Sequence, residues 1–178
     1  LQTWMQEGIV PPLDIHVDSP LGHKFAKVYD RHPEGFSVPL RIFDDIDWLE
    51  NRDDAMDASL SPGSRIVIAS GGMLEGGRIL QHLKHHVDDP RCTLLMVSFQ
   101  APGTLGEKAL QENDSIHFGG KRWNKWLAVE QVRGFSGHAD HNDFLRAVAP
   151  LEGKTSKVML VHGDVERAEK LAKAFATK

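Results

Sequence analysis

Cysteine is almost absent from this chain, and long apolar runs are missing altogether. The one cysteine, Cys92, lies in a strand-like stretch where we expect it to be buried, and it cannot form an internal disulfide. No apolar run approaches the ~20 residues that a membrane-spanning helix needs. The opening residues lack the basic-then-apolar pattern of a secretory signal. These absences argue against a disulfide-stapled secreted scaffold and against membrane association, and they predict a cytoplasmic protein.

An excess of positive charge is also lacking. The 21 lysines and arginines are outnumbered by 25 aspartates and glutamates, which gives a net charge of −4. The whole molecule is therefore not a basic nucleic-acid clamp, and binding to a polyanion would require a local patch, backbone amides or a metal. Hydrophobic residues make up 40% of the 178 residues, which is typical of a folded domain with a real core. The chain opens with "LQTWMQEGIVPP", a helical pattern without methionine, and we expect it to be a piece of a longer protein.

Strand and helix patterns alternate along the chain through short glycine-rich turns. This order predicts an α/β fold, a layered and mostly parallel sheet flanked by helices. A pair of antiparallel strands is also expected, formed by 115–120 and 127–135. The turn region between them holds Trp123 and Trp126. The remaining predicted strands are 13–17, 65–70, 92–100 and 157–163, and the predicted helices begin near residues 18, 78, 103, 140 and 164.

Small or polar residues follow five of the predicted strands. In open α/β sheets, ligands bind at the carboxyl ends of the strands, so these residues are the first candidates for a site. Two of the five strand ends carry a histidine. The five ends are Asp18-Ser19, Ser70-Gly71-Gly72, Ser98-Phe99-Gln100, Phe135-Ser136-Gly137-His138 and His162-Gly163-Asp164.

The stretch "GFSGHADHNDF" (134–144) places His138 just before a predicted helix. Amides and the positive end of a helix favour an anion there, and a histidine can donate a proton to a leaving oxygen. The alternative is that Ser136 caps the helix and His138 has no chemical role. The stretch also looks like part of an H-x-H-x-D-H zinc box. However, Ser136 occupies the first ligand position and only His162 follows, which disfavours that interpretation.

Two further candidate positions each have a structural alternative. The loop "SGGMLEGGR" (70–78) could present the amides of Gly71 and Gly72 to a phosphate, or could be a tight turn, and it lacks the lysine of a P-loop. His162 could be a metal ligand or a satisfied structural histidine.

Other histidines and a basic aromatic cluster suggest binding only weakly. His82 and His86 have the spacing of a helical metal pair, but we expect them and His85 to face solvent. Basic residues surround Trp123 and Trp126, as in surfaces that hold single-stranded nucleic acid, although these tryptophans could equally pack within a hairpin. The basic residues are Lys121, Arg122 and Lys125.

Taken together, the strings "VDSPLG", "ASGGMLEGGRIL", "GTLGEKAL", "RGFSGHAD" and "VMLVHGD" resemble one family in their order and separation. They resemble the β-CASP branch of the metallo-β-lactamase fold, which includes the polyadenylation-factor endonuclease and the RNase J enzymes. The resemblance runs from about residue 9 to the C-terminus. It implies a zinc-dependent nuclease that processes RNA, with single-stranded RNA as partner.

The resemblance also implies roles for individual residues. His138 matches the family's phosphate-facing histidine, a proton donor or transition-state stabiliser, and His162 matches a zinc ligand. Ser136 and Gly137 would lie beside the scissile phosphate, with Gly137 replacing the commoner alanine. The glycine loop, with Gly71 and Gly72, adds support. Two zinc ions are expected in the intact protein.

The family's zinc box, bridging aspartate and acidic motif belong to an N-terminal half that this chain does not contain. The resemblance therefore predicts a β-CASP-like domain over 1–125 and a returning segment of a metallo-β-lactamase domain over 126–178. We expect this chain alone to be inactive, to need the missing N-terminal half as a partner, and to be able to form a homodimer through an exposed edge. The alternatives are a non-catalytic nucleic-acid or protein-binding module and a nucleotide-binding α/β domain.

Overall fold

Two units make up the chain, Leu1–Phe135 and Ser136–Lys178, and each is described by itself. The computed structural model describes residues 1–36, 46–111, 113–132, 134–135, 138–161 and 163–176. Within these ranges, no helix is both long and apolar enough to cross a bilayer.

The first unit contains a parallel sheet of three strands in the order β2-β1-β3. The central strand β1 (Asp14–Asp18) pairs with β3 (Arg65–Ala69) along its whole length and with the short β2 (Asp47–Trp48) on its other side. Both longer strands were predicted, β3 from its nearly continuous apolar run. Their carboxyl ends meet at one edge of the sheet, because Asp18 is in register with Ala69.

A second parallel pair and a hairpin are the other strands among the described residues of this unit. Strand β4 (Thr93–Met96) pairs in parallel with β7 (Ala128–Gln131), and β5 (Ser115–Phe118) pairs antiparallel with β6 (Lys121–Asn124). The predicted antiparallel pairing of 115–120 with 127–135 is therefore wrong. The two glycines between β5 and β6 both have positive φ, 60° and 74°, and they close a two-residue turn that returns the chain immediately.

Side-chain caps fix where the helices of the first unit begin. In α2 (Pro20–Arg31), Ser19 accepts from the backbone N–H of Gly22, and proline occupies the first helical position. Asn51 caps α3 (Arg52–Leu60) in a reciprocal capping box, and Thr104 caps α5 (Leu105–Leu110). The described residues of this unit also form α1 (Gln2–Gln6) and α4 (Ile79–His86), and a 3-10 turn covers Pro33–Gly35.

The main core lies between α4, α5 and the strands β4, β5 and β7. Its fully buried members include Leu74, Val87 and Ala109. Cys92 packs against this cluster, and burial raises the pKa of its thiol. This agrees with the expectation that Cys92 is a packing residue, because a protonated thiol is a poor nucleophile.

The regular secondary structure described in the second unit is helical. Helix α6 (His141–Val148) continues into a 3-10 turn (Ala149–Leu151), and α7 (Val165–Ala176) ends the described chain. The predicted strand over 157–163 is not found in residues 157–161. The side chains of residues 157–161 are exposed, with Met159 at 70% and Val161 at 78%. A strand forms only when another strand pairs with it, and no strand lies among the described residues of this unit.

The predicted fold class is confirmed, since parallel strands flanked by helices form a mixed α/β architecture. The parallel strands fall into two hydrogen-bonded sets, a detail that the alternation of elements could not reveal. What matters for function is the edge where β1 and β3 end, because polar residues collect there.

Candidate functional site

Three of the polar strand ends come together in the first unit. At the ends of β1 and β3, the backbone N–H of Ser70 donates to the carbonyl of Asp18 at 3.2 Å. Beyond β4, the hydroxyl of Ser98 and the side-chain amide of Gln100 both donate to the carbonyl of Gly72, at 3.1 and 2.8 Å. The ends of β1, β3 and β4 therefore share one region, as expected for an α/β ligand site.

A buried polar network lies directly beneath this region. Asp18, the last residue of β1, is completely buried and accepts a hydrogen bond from Nε2 of His82 at 2.9 Å. The other ring nitrogen of His82 is 2.7 Å from the hydroxyl of Ser59. The network thus joins β1, α4 and α3 through side chains 64 and 23 residues apart.

The hydroxyl of Ser59, the imidazole of His82 and the carboxylate of Asp18 follow one another in the order of a catalytic nucleophile, base and carboxylate. Ser59 is only 4% exposed, however, and its hydroxyl is also 2.9 Å from the carbonyl of Ala55. A substrate could not reach this hydroxyl without unfolding the helix around it. The network therefore holds elements together and does not act as a nucleophile.

Arg78 extends the network towards solvent. Its Nε lies 3.5 Å from the second carboxylate oxygen of Asp18, and a quarter of its side chain is exposed. Neither that oxygen nor Nη1 of Arg78 has a hydrogen-bond partner among the described residues, although both atoms are buried. The guanidinium group therefore keeps a buried donor that no described residue uses.

The expectation that His82 faces solvent is wrong. Ile79, His82, Leu83 and His86 lie three or four residues apart and share the inner face of α4, where His82 is 4% exposed. That spacing was visible in the sequence, so the apolar pattern around His82 was the signal for its burial. Asp18 ends the strand, as expected, and Ser19 caps the helix that follows.

Burial lowers the pKa of His82, and the hydrogen bond and charge of Asp18 only partly oppose this effect. The ring is therefore neutral near pH 7. Because a carboxylate can only accept, Nε2 carries the hydrogen, and the single hydroxyl proton of Ser59 lies between two acceptors, Nδ1 of His82 and the carbonyl of Ala55. Burial also lowers the pKa of His86, helped by the neighbouring histidines.

We predict that the protein loses stability as the pH falls through the histidine range. The folded pKa values of His82 and His86 lie below the unfolded value of 6.5, so the unfolded chain binds more protons below that pH. The free energy of unfolding should have its highest value above about pH 6.5. Below this pH it should fall by up to about 1.4 kcal/mol per pH unit for each histidine. Urea unfolding at several pH values measures this slope.

A variant separates the two contributions. His86→Gln should reduce the slope while leaving part of it, because His82 is the more deeply buried ring. Asp89 cannot produce the same effect, since its hydrogen bonds to Arg91 lower its pKa to about 2 and it protonates in a much more acidic range. A flat unfolding free energy from about pH 7.5 to about 5.5 would contradict the assignment.

The glycine loop after β3 is held by backbone contacts on all sides. Gly71 has a φ of +106°, and a Cβ there would lie 2.1 Å from the carbonyl oxygen of Gly76. A Cβ on Gly77 would lie 2.6 Å from the carbonyl oxygen of Ser70. Across the loop, the N–H of Gly106 donates to the carbonyl of Met73. These contacts explain the glycines at 71 and 77 by close packing.

We expect Gly71→Ala to destabilise the protein strongly and Gly76→Ala to have little effect. Alanine at position 71 would combine an unfavourable φ with a backbone clash, at a cost of about 2–5 kcal/mol. A Cβ on Gly76 meets nothing within 4 Å, so that control should stay within about 0.5 kcal/mol of the original protein. The midpoint of urea unfolding measures both, and equal losses would rule out the packing explanation.

In the second unit, His138 lies in a bend two residues before the cap of α6 and is exposed. The cap is Asp140, whose carboxylate accepts from the N–H of Asp143, while the carboxylate of Asp143 accepts from the N–H of Asp140. The alternative in which Ser136 caps this helix is therefore wrong. Three other predicted site residues, Ser136, Gly137 and His162, lie outside the described residues.

The two tryptophans of the basic aromatic cluster differ in how far they are exposed. Trp123 stacks on Phe118, its indole N–H donates to the carbonyl of Phe118, and Nζ of Lys121 lies 4.0 Å above its ring. The ammonium group of Lys125 donates to two backbone carbonyls near α5. Trp126, in contrast, leaves 59% of its surface exposed. Trp123 is thus a packing residue, and Trp126 is the side chain available for stacking.

Parallel strands with polar residues collected at their carboxyl ends place this chain among the α/β proteins that bind or transform ligands at that edge. Comparison with known families is more specific. Residues 1–108 match the Beta-Casp domain, and residues 127–178 match the Zn-dependent metallo-hydrolase RNA specificity domain. Because the first match covers more than half of the chain, the chain belongs to the Beta-Casp family. The resemblance predicted from the sequence is confirmed.

Curated relatives are much longer than this chain. A ribonuclease from Thermus thermophilus (TTHA0252) is 31% identical over 95% of the chain, which spans 41% of that relative. The transcription termination factor FttA of Methanosarcina mazei is 26% identical over the whole chain, which spans 30% of that protein. FttA of Pyrococcus abyssi is 32% identical over 82% of the chain. The chain therefore corresponds to less than half of each relative.

Proposed function

We propose that this chain is part of a zinc-dependent nuclease that hydrolyses phosphodiester bonds in RNA. The observation that carries the proposal is the pair of family matches in order along the chain, Beta-Casp followed by the RNA specificity domain of zinc-dependent metallo-hydrolases. The Thermus relative, which is named a ribonuclease, supports it. We divide the chain at about residues 125 and 126, with a β-CASP domain before and a returning metallo-β-lactamase segment after.

The residues of this chain would orient the RNA and move one proton. His138 would donate a proton to the leaving oxygen, which is the step that an exposed imidazole near neutral pH performs well. Ser136 and Gly137 would lie beside the scissile phosphate, and the amides of Gly71 and Gly72 would bind the RNA backbone. The Gly72 carbonyl is already occupied by Ser98 and Gln100, so only the N–H side of the loop is available for an anion.

Zinc would supply a hydroxide nucleophile and neutralise charge on the phosphate. Among the described residues, no group of three or more histidine, cysteine, aspartate or glutamate side chains could hold a metal ion. A complete site would need His162 together with ligands from the N-terminal half that the longer relatives suggest. We therefore expect this chain alone to lack turnover, since one ligand does not hold zinc.

The test is to measure zinc content and the cleavage of labelled single-stranded RNA. The protein translated from the complete reading frame should bind zinc and cleave, while the 178-residue chain should do neither. Stoichiometric zinc with turnover in the short chain would overturn its proposed inactivity. Failure of the complete, zinc-loaded protein to cleave RNA would overturn the nuclease itself.

A second candidate function, a non-catalytic RNA-binding module, is favoured by the exposure of Trp126. A base stacked on an indole contributes about 1–3 kcal/mol, so Trp126→Ala should weaken single-stranded RNA binding by the chain at least about fivefold. Fluorescence anisotropy measures this, with His138→Ala as the control that leaves binding unchanged. Trp123→Ala is unsuitable because it removes packing. Unchanged affinity in Trp126→Ala would exclude the stacking role.

A further inference from the structure

The hairpin of β5 and β6 has two faces of different character. Residues that pair across an antiparallel ladder lie on the same face, and the register pairs Ile116 with Trp123 and His117 with Arg122. Ile116 is buried in the main core, and Trp123 packs against that core. The face that carries His117 and Arg122 therefore points away from the core, and both side chains are exposed.

This outer face consists of hydrogen-bonding side chains. Beside His117 and Arg122 it presents Ser115 and Asn124, which pair with each other in the register. Nε of Arg122 donates to the hydroxyl of Ser115 at 3.1 Å. The bond orients the guanidinium group and uses one of its five N–H donors. Its other donors, for which the described residues provide no partner, can bind a ligand that approaches from solvent.

Positive charge surrounds the turn of this hairpin. Residues 115–126 include three lysines or arginines and no carboxylate, although the whole chain has a net charge of −4. Helix α4 adds Lys84, since a Cβ on Gly119 would lie 3.6 Å from Cε of that lysine. Lys84, Lys121 and Arg122 are exposed, and none of them forms an ion pair with another described residue. The hairpin is therefore a local concentration of positive charge.

An exposed indole follows the second strand of the hairpin. The ammonium group of Lys125 donates back into the molecule, to the carbonyls of Ala109 and Gln111, while the next side chain, Trp126, is 59% exposed. The backbone of Trp126 is held in place, because its N–H donates to the carbonyl of Val87 at 2.9 Å. An indole on a fixed backbone with an open side is a surface on which a base can stack.

We propose that the outer face of the hairpin, together with Lys84 and Trp126, binds single-stranded RNA outside the place where it is cleaved. Guanidinium and ammonium groups bind phosphates, and an indole among them stacks on a base. The match to the RNA specificity domain begins at residue 127, directly after Trp126, which favours RNA over an acidic protein segment. None of the residues proposed for proton transfer or zinc binding belongs to this surface. The inference rests on the proposed RNA ligand and adds a second place that holds the strand.

The experiment measures binding to the 178-residue chain by fluorescence anisotropy, with EDTA present so that no zinc-dependent cleavage occurs. The probes are a single-stranded RNA of about eight nucleotides, the same strand without bases, and a polyglutamate peptide of equal length. Arg122→Gln with Lys84→Gln removes two charges of the surface. The control, Arg31→Gln with Lys27→Gln, removes the same two residue types from exposed positions of α2. Urea unfolding midpoints establish that both variants are folded.

We expect the hairpin variant to bind the RNA more than about tenfold more weakly than the control at about 50 mM salt. The slope of log affinity against log salt should be smaller by about 1.4, since each lost phosphate contact to a single strand removes about 0.7. The strand without bases should bind the original chain at least about fivefold more weakly than the RNA, because the indole then has no base to stack on.

Equal affinity of the hairpin variant and the control for the RNA would overturn the proposal. Polyglutamate that binds as tightly as the RNA, with the same loss in the hairpin variant, would also overturn it and would identify an acidic protein segment as the partner. Neither result bears on the nuclease proposal, because no cleavage is measured. Conversely, a complete protein that fails to cleave RNA would leave binding at the hairpin as it was measured.

Discussion

His138→Ala in the complete protein is expected to lower kcat for RNA cleavage by about 10²–10⁴-fold, the usual contribution of a general acid. The bound RNA should be held almost as tightly as before, because a proton donor acts on the transition state more than on the substrate. Steady-state and single-turnover kinetics with labelled RNA measure the two effects separately. This prediction depends on the proposed nuclease function.

A matched control lies three residues further along. His141 is exposed at the first position of α6, and His141→Ala should leave kcat within about twofold, since we assign it no contact with the substrate. A substrate with sulfur in place of the leaving oxygen departs without a proton and should recover most of the activity of His138→Ala. Equal rates for His138→Ala and the original protein would remove His138 from the mechanism.

Asp18→Ala is expected to lower the free energy of unfolding by about 3–5 kcal/mol, the usual result of breaking a buried ionic network. The completely buried carboxylate accepts from His82 and lies beside Arg78. Without it, the ring N–H of His82 would lose its acceptor and the guanidinium group its counter-charge, in a region that excludes water. Urea unfolding monitored by tryptophan fluorescence measures the loss.

The control for this variant is Asp14→Ala, at the exposed start of the same strand, which should change stability by less than about 0.5 kcal/mol. Adding Arg78→Met to Asp18→Ala should recover part of the loss, because the guanidinium group left without its counter-charge is then removed and only the ring N–H of His82 still lacks a partner. If Asp14→Ala and Asp18→Ala are equally stable, the network contributes nothing.

Local signals accounted for most of the elements that the sequence predicted. Helix α2 was visible because Ser19 and Pro20 mark its start, and β3 was visible as a continuous apolar run. Which strands pair with each other was harder to predict from the sequence. Strand β7 pairs with β4 across more than 30 residues, and nothing in either strand specifies that partner.

The candidate site was predictable only where it depends on position along a strand. The polar ends of β1, β3 and β4 were identified because carboxyl ends share an edge. The burial of His82 was missed although the apolar spacing of α4 indicates it. Its partners Asp18 and Ser59 could not be predicted, because both are distant in sequence. The exposure of residues 157–161 also could not be predicted, because apolar composition does not reveal whether a partner strand exists.

The Asp18 network has a consequence for the order of events on the ribosome. When β1 has been synthesised, its last carboxylate cannot yet be buried, because the imidazole that pairs with it is encoded 64 residues later. Until α4 emerges, the growing chain must keep this carboxylate hydrated and the sheet open. The three-stranded sheet should therefore close late in translation, and nascent chains that end before residue 82 should remain sensitive to protease.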